Sequence, residues 1–244
     1  MKKPFRFIIT LGASLAVIAG MAGPASASPP PPGYPTDQIM VTAQNPILGP
    51  IPIHRGFWDS VPDQGFGFDK AWNKHNLWSS EAMRRIMLST NYVMQGNGNY
   101  ALTAYAGKYT CSGSTCTLTD QRQLTGVHDG RTYSTYYTWP VNGLMGMLTA
   151  YCNNPDGAAA CPNWVTFSIT NPGVTNPYNN IAAKGEASGT AQSSASPSAG
   201  PDALERQKVA EPESKELFSE LSAGTTTLDF DYYPLPEVID NPNK

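Results

Sequence analysis

Ser80-Glu-Ala-Met-Arg-Arg-Ile-Met-Leu-Ser-Thr-Asn-Tyr-Val-Met-Gln-Gly-Asn-Gly-Asn-Tyr-Ala-Leu-Thr-Ala-Tyr105 holds two hydrophobic periods in succession. Met83, Ile86 and Met87 recur at i, i+3 and i+4, the spacing that lines one face of a helix. Ser80 can cap that helix, and Glu81 suits the positive end of its dipole. After Gly96-Asn97-Gly98 the character changes. Asn99–Tyr105, Thr115–Thr119, Arg131–Thr138, Leu144–Tyr151 and Trp164–Ile169 are short β-branched or aromatic runs separated by Gly, Pro, Asn or Asp, which reads as strands. Upstream, Asp69 can cap a second short helix that runs through Lys74. Helices first and strands afterwards predict an α+β fold, with N-terminal short helices packed on a small antiparallel β-sheet.

Around this domain the composition changes sharply. Lys2, Lys3 and Arg6 precede an apolar run from Phe7 to Met21, and Ala25-Ser26-Ala27 supplies the small-x-small pattern of a cleavage site. Residues 1–27 therefore read as a signal peptide, and the expected location is secreted, with no stable membrane anchor because the apolar run is too short to span. Five prolines between Ser28 and Pro35 open an extended lead-in over 28–44. The globular domain is expected over 45–178, followed by an Ala/Ser/Gly-rich linker over 179–200 and a tail over 201–244. Residues 28–183 carry eight Lys/Arg against eight Asp/Glu, whereas 184–244 carry five against eleven. That acidic end reads as a disordered tail. The alternative reading lays the tail across the cationic patch of Lys74, Arg84 and Arg85, in competition with an anionic ligand.

Export makes the four cysteines readable as disulfides. Cys111 and Cys116 flank Ser-Gly-Ser-Thr, which suits a hairpin tip, and Cys152 and Cys161 flank a turn-rich loop. Among the three possible connectivities, local pairing is preferred. Each bridge would close a short loop and contribute about 2–3 kcal/mol. Without histidines at ligand spacing, neither a metal site nor a cofactor is expected.

The chain has three histidines, His54, His75 and His128, all before residue 151. His75 follows Lys74 at the end of Gly65-Phe-Gly-Phe-Asp-Lys-Ala-Trp-Asn-Lys-His75. Histidine titrates near neutrality and can both take and give a proton. Gly65-Phe-Gly-Phe-Asp with Lys74-His75, then a helix, then Gly130-Arg131 opening a strand, then Leu148-Thr-Ala-Tyr151 closing another, resembles the barnase–EndoU–colicin–RelE-like ribonuclease toxins. In that group a helix bearing a Lys/His pair packs on a four-stranded antiparallel sheet, with a strand ending in Thr-Ala-Tyr-Pro; here Cys152 stands where the proline is usual. The resemblance implies a secreted toxin-type ribonuclease that cleaves RNA without metal, through attack by the 2′-hydroxyl. His75 would then be acid or base, with His128 as the second such group. Arg131 would clamp the phosphate with Lys74 beside it, and Thr149 and Tyr151 would line the floor.

Each residue also has a plain structural reading. His75 can cap a helix end, and His128 before Asp129-Gly130 suits a hairpin turn. The neutral balance of the domain fits poorly with RNA, whose affinity comes chiefly from phosphate neutralisation. The competing class is a secreted, non-catalytic binding or cell-surface interaction module. RNA is the partner under one reading; an inhibitor or a cell-surface partner is the other. Geometry discriminates them: the ribonuclease needs His75, Arg131 and Tyr151 around one cleft.

Overall fold

The computed structural model describes residues 29–173 and 215–243. The expected signal peptide and the expected linker lie outside the described residues.

Its frame is a long antiparallel hairpin of β6 (Asn99–Ser112) and β7 (Thr115–Tyr136). Register runs from Ser112 opposite Thr115 to Asn99 opposite Asp129. The Cys111–Cys116 bridge joins directly opposed residues beside the tip, and the Cys152–Cys161 bridge closes the second loop, so both cysteine pairs are the local ones. β8 (Trp139–Asn153) folds back along the outer edge of β7, from Tyr136 opposite Trp139 to Gln123 opposite Asn153. β5 (Tyr92–Gly96) lies on the outer edge of β6 near Asn99–Leu102.

The C-terminal segment completes both edges. A helix, α4, spans 215–222. β9 (Thr226–Asp231) then pairs with β6 over Tyr105–Thr110, and β10 (Val238–Asp240) pairs with β7 over Thr115–Thr117. Between them the chain crosses the hairpin. The Leu235 amide donates to Gln121 Oε1 at 2.8 Å, Tyr109 Oη donates to the Pro236 carbonyl at 2.8 Å, and the Leu118 amide donates to Glu237 O at 2.8 Å. Gly107 leaves room for this crossing, because a Cβ there would lie 2.5 Å from Leu235 Cδ1. The result is one six-stranded antiparallel sheet.

α2 (Ser80–Met87) buries Ala82, Met83, Ile86 and Met87 against this sheet. Its cap is Ser79, whose hydroxyl accepts from the Ala82 amide at 3.2 Å. The hairpin of β1 (Ile39–Asn45) and β2 (Gly49–His54) closes the same core with Ala43, Ile51 and Ile53. A second small hairpin, β3 (Phe57–Asp59) and β4 (Gln64–Phe66), leads into α1 (Gly67–Asn73). α3 (Asn163–Thr170) adds Val165 and Ile169.

Several expectations are corrected. The fold is not an α+β arrangement of N-terminal helices on a small sheet; it is mostly β, built on one large antiparallel sheet, and β-hairpins precede the first helix. Trp164–Ile169, expected as a strand, is helical. Its buried positions Val165, Thr166 and Ile169 share one helix face, and the Thr170 and Ser168 hydroxyls donate to carbonyls of their own turn, Thr166 and Val165. His128-Asp129-Gly130 is not a turn but the interior of β7. Nor is the acidic end a disordered tail over its described part: Leu228, Phe230 and Tyr232 are buried on the sheet. Its charge meets Lys108, 2.9 Å from Glu220, rather than the expected patch. There Arg84 and Arg85 already pair with Glu81 at 2.7 Å each, and Lys74 pairs with Asp63.

Phe230 is fully buried in the main core. Phe230→Ala should therefore lower the unfolding free energy of the whole domain by about 3–5 kcal/mol in a denaturant titration. An unchanged midpoint would mean that the C-terminal strands contribute nothing to the fold.

Candidate functional site

The end of α1 decides where Lys74 and His75 point. Asn76 adopts a left-handed backbone (φ 56°), its amide donates to Trp72 O at 2.9 Å, and the Leu77 amide donates to Ala71 O at 3.0 Å. This pair of bonds is a Schellman-type stop, which terminates the helix and splays the two side chains. Lys74 turns outward to its ion pair with Asp63. His75 turns inward and is buried, with Nδ1 donating to the Ala159 carbonyl at 2.9 Å. That carbonyl lies in the loop closed by Cys152–Cys161, and the Cys161 amide donates back to His75 O at 2.9 Å. Burial pushes the imidazole pKa down to about 4, the Ala159 bond partly opposing this. At neutral pH the ring is uncharged, with Nδ1 committed.

Tyr151 meets His75, ring centroids 5.5 Å apart. Thr149, two residues back on β8, is buried, and its Oγ1 has no partner among the described residues. These three form one group. Arg131 and His128 lie apart from it, each with partners of its own. Tyr151 stands opposite Thr125 on β7, and Arg131 lies six residues farther along that strand, about 20 Å away at strand rise. His128 stacks on Tyr100 at 5.7 Å, and its Nδ1 lies 3.1 Å from Gly146 O; burial lowers its pKa. Arg131 is tied to the buried Asp129 by two side-chain bonds, Nε to Oδ1 at 2.9 Å and Nη2 to Oδ2 at 2.7 Å. Burial pushes the Asp129 carboxyl up, but its bonds from Arg131 and Tyr133 together hold it below the usual carboxylate range. His54 is buried between the Asp37 carbonyl (3.0 Å) and the Leu144 carbonyl (2.8 Å), stitching β2 to β8.

Two features escaped the sequence reading. Tyr34, in the proline-rich lead-in, donates to the buried Asp69 carboxylate and accepts from Arg55 Nε at 3.0 Å. Asp69 does not cap α1; burial pushes its pKa up to about 6, against the pull of the Tyr34 bond and of Arg55. Second, a ladder of rings runs from Tyr34 to Phe57 (5.5 Å), Trp139 (5.2 Å), Phe66 (6.2 Å), Tyr136 (5.8 Å) and Tyr133 (5.4 Å). It ends beside an open groove of about 400 Å³ lined by Thr132, Tyr133, Ser134, Asn142 and Gly143. The density of rings in Thr132-Tyr-Ser-Thr-Tyr-Tyr-Thr-Trp139 was the available signal.

Among the described residues, no three His, Cys, Asp or Glu side chains are grouped to hold a metal ion, and no helix is long and apolar enough to cross a membrane. No family model, curated protein or solved structure matches the chain.

The two shifted groups tilt stability in opposite directions. His75, with its folded pKa below the unfolded value near 6.5, contributes stability present above that value and lost as pH falls through about 4. Asp69, with its folded pKa raised, contributes stability present below its unfolded value of 3.8 and lost as pH rises through about 6. Asp69→Asn, which keeps an acceptor for Tyr34, should therefore lose stability more steeply than wild type on acidification from pH 6 to pH 4. Denaturant midpoints across that window test this, and parallel slopes would contradict it.

Proposed function

We propose that this chain is a secreted, non-catalytic binding module that acts on a surface outside the cell. The observation that carries this reading is the dispersal of the candidate chemical groups. His75 is sealed under the Cys152–Cys161 loop, Lys74 is paired with Asp63, and Arg131 is paired with Asp129 some 20 Å along the strand, a distance that follows from strand rise. Acid–base cleavage of RNA requires a proton carrier near neutrality and a cation on the same phosphate. An imidazole held near pKa 4 with one nitrogen committed, remote from Arg131, supplies neither together. The two disulfides are compatible with an oxidising compartment. The neutral balance of residues 28–183 also suits a ligand other than a polyanion.

Incubation of the full chain with labelled single-stranded RNA in EDTA should yield no cleavage above that of the His75→Ala variant. Cleavage to 2′,3′-cyclic phosphate ends that falls about 10²–10⁴-fold in His75→Ala would restore the ribonuclease reading.

A further inference from the structure

We propose that this chain forms a symmetric dimer, β5 of one copy pairing antiparallel with β5 of a second and joining the two sheets edge to edge. The inference goes beyond the binding-module reading and does not depend on it.

The sheet protects its other borders and leaves this one open. At β9 the Gly173 amide donates to Leu228 O at 2.7 Å. β8 is met by β2: His54 Nε2 lies 2.8 Å from Leu144 O, and a Cβ on Gly146 would lie 2.0 Å from Pro52 O. β10 is three residues long and ends in Asp240. β5 has no strand on its outer side among the described residues. Its register fixes which backbone groups it offers. The Thr103 amide donates to Asn91 O at 2.7 Å and Val93 stands opposite Ala101, so Asn91 and Val93 turn their N–H and C=O toward β6. Tyr92 and Met94 turn theirs outward, each a donor and an acceptor within reach of another strand.

The side chains along this edge are apolar and exposed. Val93 and Met94 are each 64% exposed. Asn91 Nδ2 donates to Tyr232 O at 3.3 Å, which brings Tyr233, 62% exposed, to the end of the same strip. Native edges are commonly guarded by a charge, lysine above all, or by proline. From Ile86 through Gly107 this chain carries no Asp, Glu, Lys, Arg or Pro.

That composition selects a second copy as the occupant. Across a twofold axis a residue meets itself or a near neighbour in sequence, so a charge placed there would meet its like. The uncharged edge escapes that repulsion. The bulge between Met94 and Gly96 ends the regular part of the strand, which puts the axis at Val93. Tyr92 of one copy then stands opposite Met94 of the other, and these outward-facing residues exchange both of their backbone hydrogen bonds. Val93 faces Val93 at the narrow, non-hydrogen-bonded position between them, where side chains approach most closely. Met94 lies beside the Tyr92 ring, a favourable place for a thioether. A strand of unrelated sequence could use the same backbone groups, but the edge offers no charge to select it.

The strip is short. The interface therefore falls below about 1,200 Å², and the dimer should dissociate at about micromolar concentration. Two copies on one axis present any ligand-binding face twice, which raises avidity without a new contact.

Sedimentation equilibrium of the full chain, from about 1 μM to about 1 mM, should show the mass rising from one copy to two. Val93→Lys should weaken self-association at least tenfold with an unchanged melting temperature, since the side chain is exposed in a single copy. Cross-linking gives a second readout. The four cysteines are all paired, so Val93→Cys adds a lone thiol. Two Cα atoms facing each other at the axis, about 4.5 Å apart, lie within the span of a disulfide. Mild oxidation should link two copies at position 93, whereas Val61→Cys, at an 88% exposed position between β3 and β4, should stay largely single. A mass of one copy at every concentration overturns the dimer. Undiminished association of Val93→Lys, or equal cross-linking of the two cysteine variants, overturns it as well.

Discussion

Every residue of β6 has a partner on β7, in a pairing that shifts once between Lys108 and Tyr109, and the rest of the sheet is built on it. A two-stranded hairpin is marginal in water by itself, because it buries one face poorly and leaves two unpaired edges. Both edges are consumed here. β8 and β10 share the outer edge of β7, and β5 and β9 share that of β6. Two of these four segments are separated from the hairpin by most of the C-terminal half. The sheet therefore depends on long-range pairing, in which loop-closure entropy is lost before the non-local contacts form. The Cys111–Cys116 bridge relieves part of that cost at the tip, where β9 and β10 must both dock. On the other side of the same register, α2 packs so closely that a Cβ on Gly126 would lie 2.6 Å from Met87 Cε.

How much of this the sequence shows varies by element. α2 was legible because its apolar spacing, a cap one residue from the expected one, and a first-turn glutamate agree. The strand segments after Gly98 were legible as strands, but not their lengths: β7 runs unbroken through His128-Asp129-Gly130, turn-prone residues that cross-strand pairing overrides. α3 was misread because Val165, Thr166 and Ile169 favour strands in isolation, whereas burial of one side against the sheet selects the helix. The C-terminal strands carried their own signal in the alternation of Leu228, Phe230 and Tyr232. Net negative charge outweighed it, although charge speaks to solubility and not to fold.

The candidate chemistry was less legible, for a reason that the burial of His75 makes plain. Histidine frequency and spacing identify residues able to move protons, but desolvation decides whether they do so near neutrality. That desolvation comes from a disulfide-closed loop eighty-odd residues later in the chain, which no local window contains. Asp129 and Arg131 are different. A separation of two on a strand puts both on one face, so their mutual neutralisation was implicit in the expected strand.

What remains accessible follows from where β6 stops. Beyond Gly130, whose amide donates to Gly98 O at 2.9 Å, β7 pairs with β8 alone among the described residues. Among the described residues this overhanging ribbon has no further strand beside it, and it packs through Phe66, Trp139, Val141 and Met145 with their surrounding rings. Aromatic edge-to-face contacts of this kind contribute about 0.5–1.5 kcal/mol each beyond their buried area. They anchor the ribbon to β3, β4 and, through Phe57, to Tyr34. The lead-in, the first hairpins and the overhang are thus one mechanical unit. Its polar residues Thr132, Ser134, Thr135 and Asn142 stay exposed.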